Sequence, residues 1–341
     1  MSDPKLSELI PSLGALPFIS IEFFPPKTQA GVGALYAVLR DLKAAGPLFV
    51  DVTWGAGGST SSLTFDICKA IKEDHGMITN MHLTCTNVES ATINEVLAKC
   101  KAAGITNILA LRGDPPVGHE WQQREGGFSC ALSLIEHIKR EYGDFFGIAC
   151  AGYPEGHPSA MTEMMSYDGL TESELQRCCT IDEGGARKIS VCLDAAYKLE
   201  MEYLKKKVDA GASMIITQMF FDFNVFSSFV NNCRSYGIQV PILPGLMLIS
   251  SYAGFKRMVG FCKTRVPDDV NSTLEDIKDD ETKLKEYGVN FGIEMCKKLV
   301  DFGVAGLHFY TLNQSATTLD IVQGLVDVLP AAESRQSWCI N

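Results

Sequence analysis

Phe18-Ile19-Ser20-Ile21-Glu22-Phe23-Phe24-Pro25-Pro26 decides how the rest of this chain is read. A run rich in isoleucine and phenylalanine makes a strand, and the two prolines end it. A doubly wound open sheet, the alternative, would usually carry a glycine-rich turn at this point. Within the strand Glu22 stands out. An ionised carboxylate without a partner in apolar surroundings is costly, and desolvation raises its pKa towards that of a general acid. The plainer reading puts Glu22 on the wet face of an edge strand, so its neighbours at the other strand ends must decide.

Working outward, β-rich runs recur at 18–24, 48–53, 78–84, 107–111, 146–151, 214–218, 240–244 and 306–310. Amphipathic helical stretches separate them at 35–45, 61–73, 93–103, 131–142, 195–210, 225–236, 252–264 and 283–302. Gly46, Gly104, Gly143, Gly211, Gly237 and Gly303 stand where helices should stop. Eight β/α units predict a (β/α)8 TIM barrel occupying residues 1–341 as one domain. Two stretches break the rhythm. Residues 159–194, with Cys178-Cys179 and Gly184-Gly185, read as a polar insertion forming a surface excursion or flap, and 268–281 as an acidic solvated connection.

Composition narrows the function. Of 341 residues, 30 are Lys or Arg and 41 Asp or Glu, a formal net charge of −11 with no basic cluster, so neither nucleic acid nor an anionic membrane surface is an expected partner. Twelve cysteines without a CxxC pair read as buried, reduced thiols. The first residues lack a basic start followed by an apolar run, and no segment has the length of a bilayer span. A cytoplasmic location is expected.

In such a barrel the carboxyl ends of the strands carry the chemistry. Here they leave Glu22, then Thr53-Trp54-Gly55, His82 and Thr84, Arg112-Gly113-Asp114, Tyr153 and His157, Gln218, Pro244-Gly245, and His308 with Tyr310. Arg112-Gly113-Asp114 suits a planar, phosphate-bearing ligand: the guanidinium grips a pyrophosphate, the glycine permits close approach, and the carboxylate accepts from a heterocycle. A surface turn with an internal ion pair is the bland alternative. Gly55-Ala56-Gly57-Gly58-Ser59 has neither the Walker lysine nor GxGxxG spacing. No HxH or HxxxH pair suggests a metal, and no GxSxG elbow suggests a serine nucleophile.

These residues closely resemble methylenetetrahydrofolate reductase. The matching stretches are Ser20-Ile21-Glu22-Phe23-Phe24-Pro25-Pro26-Lys27, Val52-Thr53-Trp54-Gly55-Ala56, His82-Leu83-Thr84-Cys85, Ala110-Leu111-Arg112-Gly113-Asp114, Ala151-Gly152-Tyr153-Pro154-Glu155-Gly156-His157-Pro158, Ile216-Thr217-Gln218 and His308-Phe309-Tyr310-Thr311-Leu312-Asn313. They run in order over nearly the whole chain, and Gly126-Gly127-Phe128 is closer to eukaryotic members. The resemblance implies a flavoenzyme in which NADPH or NADH reduces FAD, and 5,10-methylenetetrahydrofolate then takes the hydride. Glu22 would be the acid that opens the folate ring, and Asp114 would tune the flavin and bind substrate. Thr53, Trp54, His82, Arg112, Gly113, Ala131, Tyr153, His157, Glu200 and Lys207 would hold FAD, with Gln218, Tyr310 and Gln314 on the substrate side. Eukaryotic likeness favours NADPH, and a homo-oligomer is expected.

Four departures qualify this expectation. Glu200 replaces the family's aspartate, and Gln314 its arginine. The insertion is longer than the usual connection. The C-terminal regulatory domain of animal and plant members does not follow, so allosteric control through it is not expected. A pterin-binding barrel that transfers one-carbon groups without flavin, and a scaffold that has lost catalysis, are the competing readings.

Overall fold

The structure, a computed structural model, describes residues 2–55, 61–114, 121, 123–183 and 186–336. The Gly57-Gly58-Ser59 turn, Gly184-Gly185 and Cys339 lie outside them. The strands in chain order are β1 (Phe18–Phe23), β2 (Phe49–Val52), β3 (Ile78–Thr84), β4 (Asn107–Leu111), β5 (Gly147–Gly152), β6 (Thr162–Met164), β7 (Cys179–Glu183), β8 (Ala186–Val191), β9 (Ala212–Thr217), β10 (Ile242–Leu243), β11 (Gly245–Met247) and β12 (Gly306–Tyr310). The helices are α1 (Leu6–Ser12), α2 (Gln29–Lys43), α3 (Ser61–His75), α4 (Ser90–Ala103), α5 (Ala131–Tyr142), α6 (Glu172–Arg177), α7 (Asp194–Asp209), α8 (Phe223–Ser235), α9 (Tyr252–Cys262), α10 (Asp268–Ile277), α11 (Glu281–Phe302), α12 (Ala316–Gln323) and α13 (Ala332–Gln336).

A parallel sheet runs β10-β9-β5-β4-β3-β2-β1-β12-β11. Its two ends are consecutive in the chain, because β10 and β11 are halves of one seventh strand interrupted at Pro244. Proline has no N–H to give the ladder, yet its carbonyl accepts from the His308 amide at 3.1 Å. The first half pairs with β9 and the second with β12, which closes the expected (β/α)8 barrel.

Alternation along each strand sorts the side chains. Ile19, Ile21 and Phe23 face the surrounding helices in the main core. Phe18 joins Phe49, Ile78, Leu109, Met214 and Leu243 in an inner apolar cluster, which Leu6 and Ile10 of α1 cover from the amino-terminal mouth. Two residues further along β1, β2, β3 and β12 the inward positions turn polar, with Ser20, Asp51, Asn80 and His308, all buried. The barrel interior is thus greasy at one end and ionisable at the other.

One expectation needs correction, and the insertion gains detail. Residues 268–277 form helix α10, because Val270 and Leu274 give the acidic stretch one apolar stripe that packs against Leu284 and Phe255. The insertion is a small folded unit: β6, β8 and β7 make an antiparallel sheet over Cys178, Ile189 and Val191. It is fastened to the loop after α9, where Cys179 Sγ donates to the Thr264 carbonyl at 3.0 Å. Eleven cysteines are described, all free. No described helix is long and apolar enough to cross a membrane.

Candidate active site

Two adjoining cavities open at the carboxyl ends of the strands. The first, about 330 Å³, is walled by Glu22, Thr53, Trp54, His82, Gly113, Asp114, Gln218 and Tyr310. The second, about 220 Å³, is walled by Cys130, Ala131, His157, Glu200, Tyr203 and Lys207. Leu111, Arg112, Ala151 and Tyr153 line both, so they form the partition of one continuous cleft. Every residue given a role by the family resemblance lines this cleft except Gln314, which is exposed just past the left-handed Leu312 and Asn313.

Glu22 does not sit in the apolar surroundings its strand suggested. Its Oε2 lies 3.4 Å from His82 Nε2 and 3.5 Å from His308 Nε2. Asp51 Oδ2 lies 3.4 Å and 3.6 Å from the same two nitrogens, and Ser20 Oγ is 2.9 Å from the far nitrogen of His308. Inward alternation brings these groups together, whereas outward neighbours such as Ile21 supply the grease. Burial opposes a proton on His82, but the adjacent Asp51 carboxylate and the Glu22 charge outweigh it and raise the imidazole pKa. Asp51 is the residue the sequence reading missed. Glu22, Asp51 and His82 also present three potential ligand atoms within 4.8 Å of one another.

The walls are held rigidly. Thr311 Oγ1 donates to the Glu22 carbonyl at 2.7 Å, and Tyr310 Oη to that of Thr217 at 2.6 Å. Burial, then the nearby Glu22 and Asp51 charges, push the Tyr310 phenol far above its ordinary pKa, so it remains a donor. The Arg112 carbonyl accepts from Thr86 Oγ1 at 2.7 Å. Gly113 has φ +83°, and a Cβ there would come 2.7 Å from that of Thr84. Its smallness lets the turn fit against β3, a different reason from the ligand approach read from the sequence.

The second cavity is cationic at its partition. Arg112 and Lys207 both line it, and the buried Lys207 Nζ donates to the Ala151 carbonyl at 2.6 Å. Burial, Arg112 and Lys207 lower the pKa of His157 to about 4, so its ring is neutral. Its Nδ1 accepts from the Ser159 amide at 3.1 Å, which leaves Nε2 as the protonated nitrogen. Burial raises the pKa of Glu200, against the pull of Lys207 and Arg112.

A dinucleotide with a planar ring system fits this donor set: two cations suit a pyrophosphate, and the buried indole N–H of Trp54, in the wall of the first cavity, has no hydrogen-bond partner among the described residues. The residues that the family resemblance assigns to FAD thus line one cleft.

Comparison with known proteins agrees with this arrangement. The family model described as methylenetetrahydrofolate reductase matches residues 12–326. The chain is 46% identical over 311 residues to methylenetetrahydrofolate reductase (NADH) 1 of Arabidopsis thaliana, an alignment covering 90% of this chain and 48% of that one. It is 31% identical over 309 residues to 5,10-methylenetetrahydrofolate reductase of Pectobacterium carotovorum, covering 90% and 89%. It thus spans about half the length of the plant relative and most of the bacterial one. Among solved structures, an uncharacterized Clostridium thermocellum protein that binds two copies of 5-methyl-5,6,7,8-tetrahydrofolic acid overlays with a TM-score of 0.58 at 10% identity, covering 95% and 98%, a likeness of fold alone. With a family match across almost the entire barrel and its site residues gathered in one cleft, the chain belongs to the methylenetetrahydrofolate reductase family.

Proposed function

We propose that the chain reduces 5,10-methylenetetrahydrofolate to 5-methyltetrahydrofolate at the expense of a reduced nicotinamide dinucleotide, with FAD as resident cofactor. The observation that carries this reading is the placement of Glu22, paired with two imidazoles, in the wall of a cavity that continues into a cationic one. FAD, when bound, supplies the hydride chemistry. Arg112 and Lys207 hold its diphosphate, and Thr53, Trp54, His82, Gly113, Ala131, Tyr153, His157 and Glu200 enclose the rest. Glu22 gives a proton to the folate nitrogen as the methylene bridge opens. Gln218 and Tyr310 face the substrate, and Asp114, exposed at the rim, meets the pterin. Gln314, exposed two residues past Leu312 of the cavity wall, is proposed to meet the outer end of the substrate. The chain is further proposed to act as a homo-oligomer, which sedimentation velocity reads directly.

The test separates the two half-reactions in stopped flow. The FAD-loaded chain should be bleached by NADH or NADPH and recover its colour with methylenetetrahydrofolate. Protein that stays colourless after FAD addition sinks the proposal in favour of the flavin-free pterin reading. The plant relative's name carries NADH, whereas eukaryotic likeness had favoured NADPH, and kcat/KM with each decides.

A further inference from the structure

On the side facing β12, the backbone pairing of β1 stops at Glu22, opposite Tyr310. Phe23 turns the other way, its carbonyl accepting from the Thr53 amide at 2.8 Å, and Phe24 faces β12 again. The two prolines that follow have no N–H with which to continue a ladder. The side chain of Asn313 takes over: its Oδ1 accepts from the Phe24 amide at 3.0 Å, and its Nδ2 donates to the Phe24 carbonyl at 2.9 Å. A carboxamide carries the same kinds of donor and acceptor as a peptide group. Asn313 thus supplies one more rung where the backbone cannot.

The turn that delivers this amide is unusual. Leu312 and Asn313 have φ of +50° and +58° in succession. Asparagine tolerates that region, whereas leucine is strained in it. Such strain persists only where the surroundings enforce it, and it gathers at functional sites. Thr311 Oγ1 accepts from the Asn313 amide at 3.2 Å and donates to the Glu22 carbonyl at 2.7 Å. One three-residue turn therefore grips β1 at Glu22 and again at Phe24. Glu22, Tyr310 and Leu312 all line the first cavity, so the acid and part of the wall beside it lie on two segments that these side chains join beyond the last backbone pair.

We propose that Asn313 is a positioning residue: by clamping Phe24 to the turn after β12, it fixes Glu22 relative to the wall against which the folate lies. The inference rests on the reaction proposed above, in which Glu22 protonates the folate nitrogen. Asn313 lines neither cavity and acts only through Phe24 and Glu22. A misplacement of about 1 Å can cost a reaction a hundredfold, and an acid must lie within hydrogen-bond reach of the atom it protonates. The effect belongs to the folate half-reaction, because flavin reduction makes no use of that proton.

Asn313→Gly separates this role from a purely conformational one. Glycine adopts a positive φ freely, so the variant keeps the turn and loses only the amide. In single-turnover kinetics at saturating methylenetetrahydrofolate, reoxidation should slow roughly tenfold to a hundredfold. Bleaching by NADH or NADPH, and FAD affinity, should change by less than about twofold. Asn313→Asp keeps the acceptor for the Phe24 amide but not the donor, and should fall between the glycine variant and the parent. Unchanged reoxidation in Asn313→Gly, or equal slowing of both half-reactions, overturns the proposal. Amide hydrogen exchange needs neither cofactor nor turnover: the Phe24 amide should be protected in the unmodified protein and exchange at least about tenfold faster in Asn313→Gly. Equal exchange in the two overturns the clamp by itself. Should the unmodified protein reduce no folate at all, the proposed function fails, and exchange at Phe24 still decides whether Asn313 holds β1.

Discussion

At position 245 a methyl group has nowhere to go. It would overlap the Thr217 carbonyl oxygen and the Tyr310 hydroxyl, which are hydrogen-bonded to each other. Gly245→Ala should therefore displace Tyr310, destabilise the fold by roughly 1–3 kcal/mol, and raise KM for the folate more than it alters flavin reduction. Unchanged denaturation and an unchanged KM would refute that. Glu22→Gln removes the acid but keeps its shape: bleaching by nicotinamide should persist while reoxidation by folate falls at least about a hundredfold. Equal loss in both steps would assign Glu22 a structural part. Glu22 was legible because it ends an apolar strand. Asp51, in Leu48-Phe49-Val50-Asp51-Val52, carries the same signal, one charge in an apolar run. It went unread because it lies one layer deeper, where a strand-end survey does not look.

Elements were read best where a repeating unit imposes them. Each barrel strand must be apolar on its helix-facing side, and each long helix must present a stripe to the sheet, so α5 falls at its sequence-read limits, 131–142. Gly104 and Gly303 close α4 and α11 in the left-handed region as their positions suggested. The short pieces were opaque. Only Val270 and Leu274 mark the buried face of α10, and the sheet of the insertion depends on partners that no local pattern reveals. At its root, Glu155 is buried and accepts from the Arg265 amide at 3.3 Å. Burial outweighs that bond and raises its pKa from 4.5 to about 8. The folded state therefore binds this proton more tightly than the unfolded chain does. The stabilisation is complete below about pH 4.5 and is lost as pH rises towards 8. Glu155→Gln should flatten this part of the stability curve, so the variant gains on the parent at pH 8. Parallel melting curves across that range would disprove it.

Across the whole molecule the two mouths of the barrel divide the labour, with reactive groups at one end and packing at the other. Leu6 and Ile10 close the amino-terminal mouth, and the buried Asp3 meets Lys72 at 2.7 Å beside them. Leu6→Ala with Ile10→Ala should cost roughly 2–5 kcal/mol per side chain, yet leave kcat at room temperature within about twofold. A kcat that collapses while the fold is still intact would show that the ends are coupled. The weakest part of the cylinder lies on the reactive side. At Pro244 one rung of the seventh strand has no backbone donor, and Gly245 turns its N–H to the Thr217 hydroxyl at 3.0 Å instead of a main-chain carbonyl. When the native barrel breathes, it should part along this line first. Deuterium should enter the amides of 242–247 sooner than those of β1 or β3. A hoop with a single clasp beside its mouth can loosen around a bulky guest while the rest stays shut.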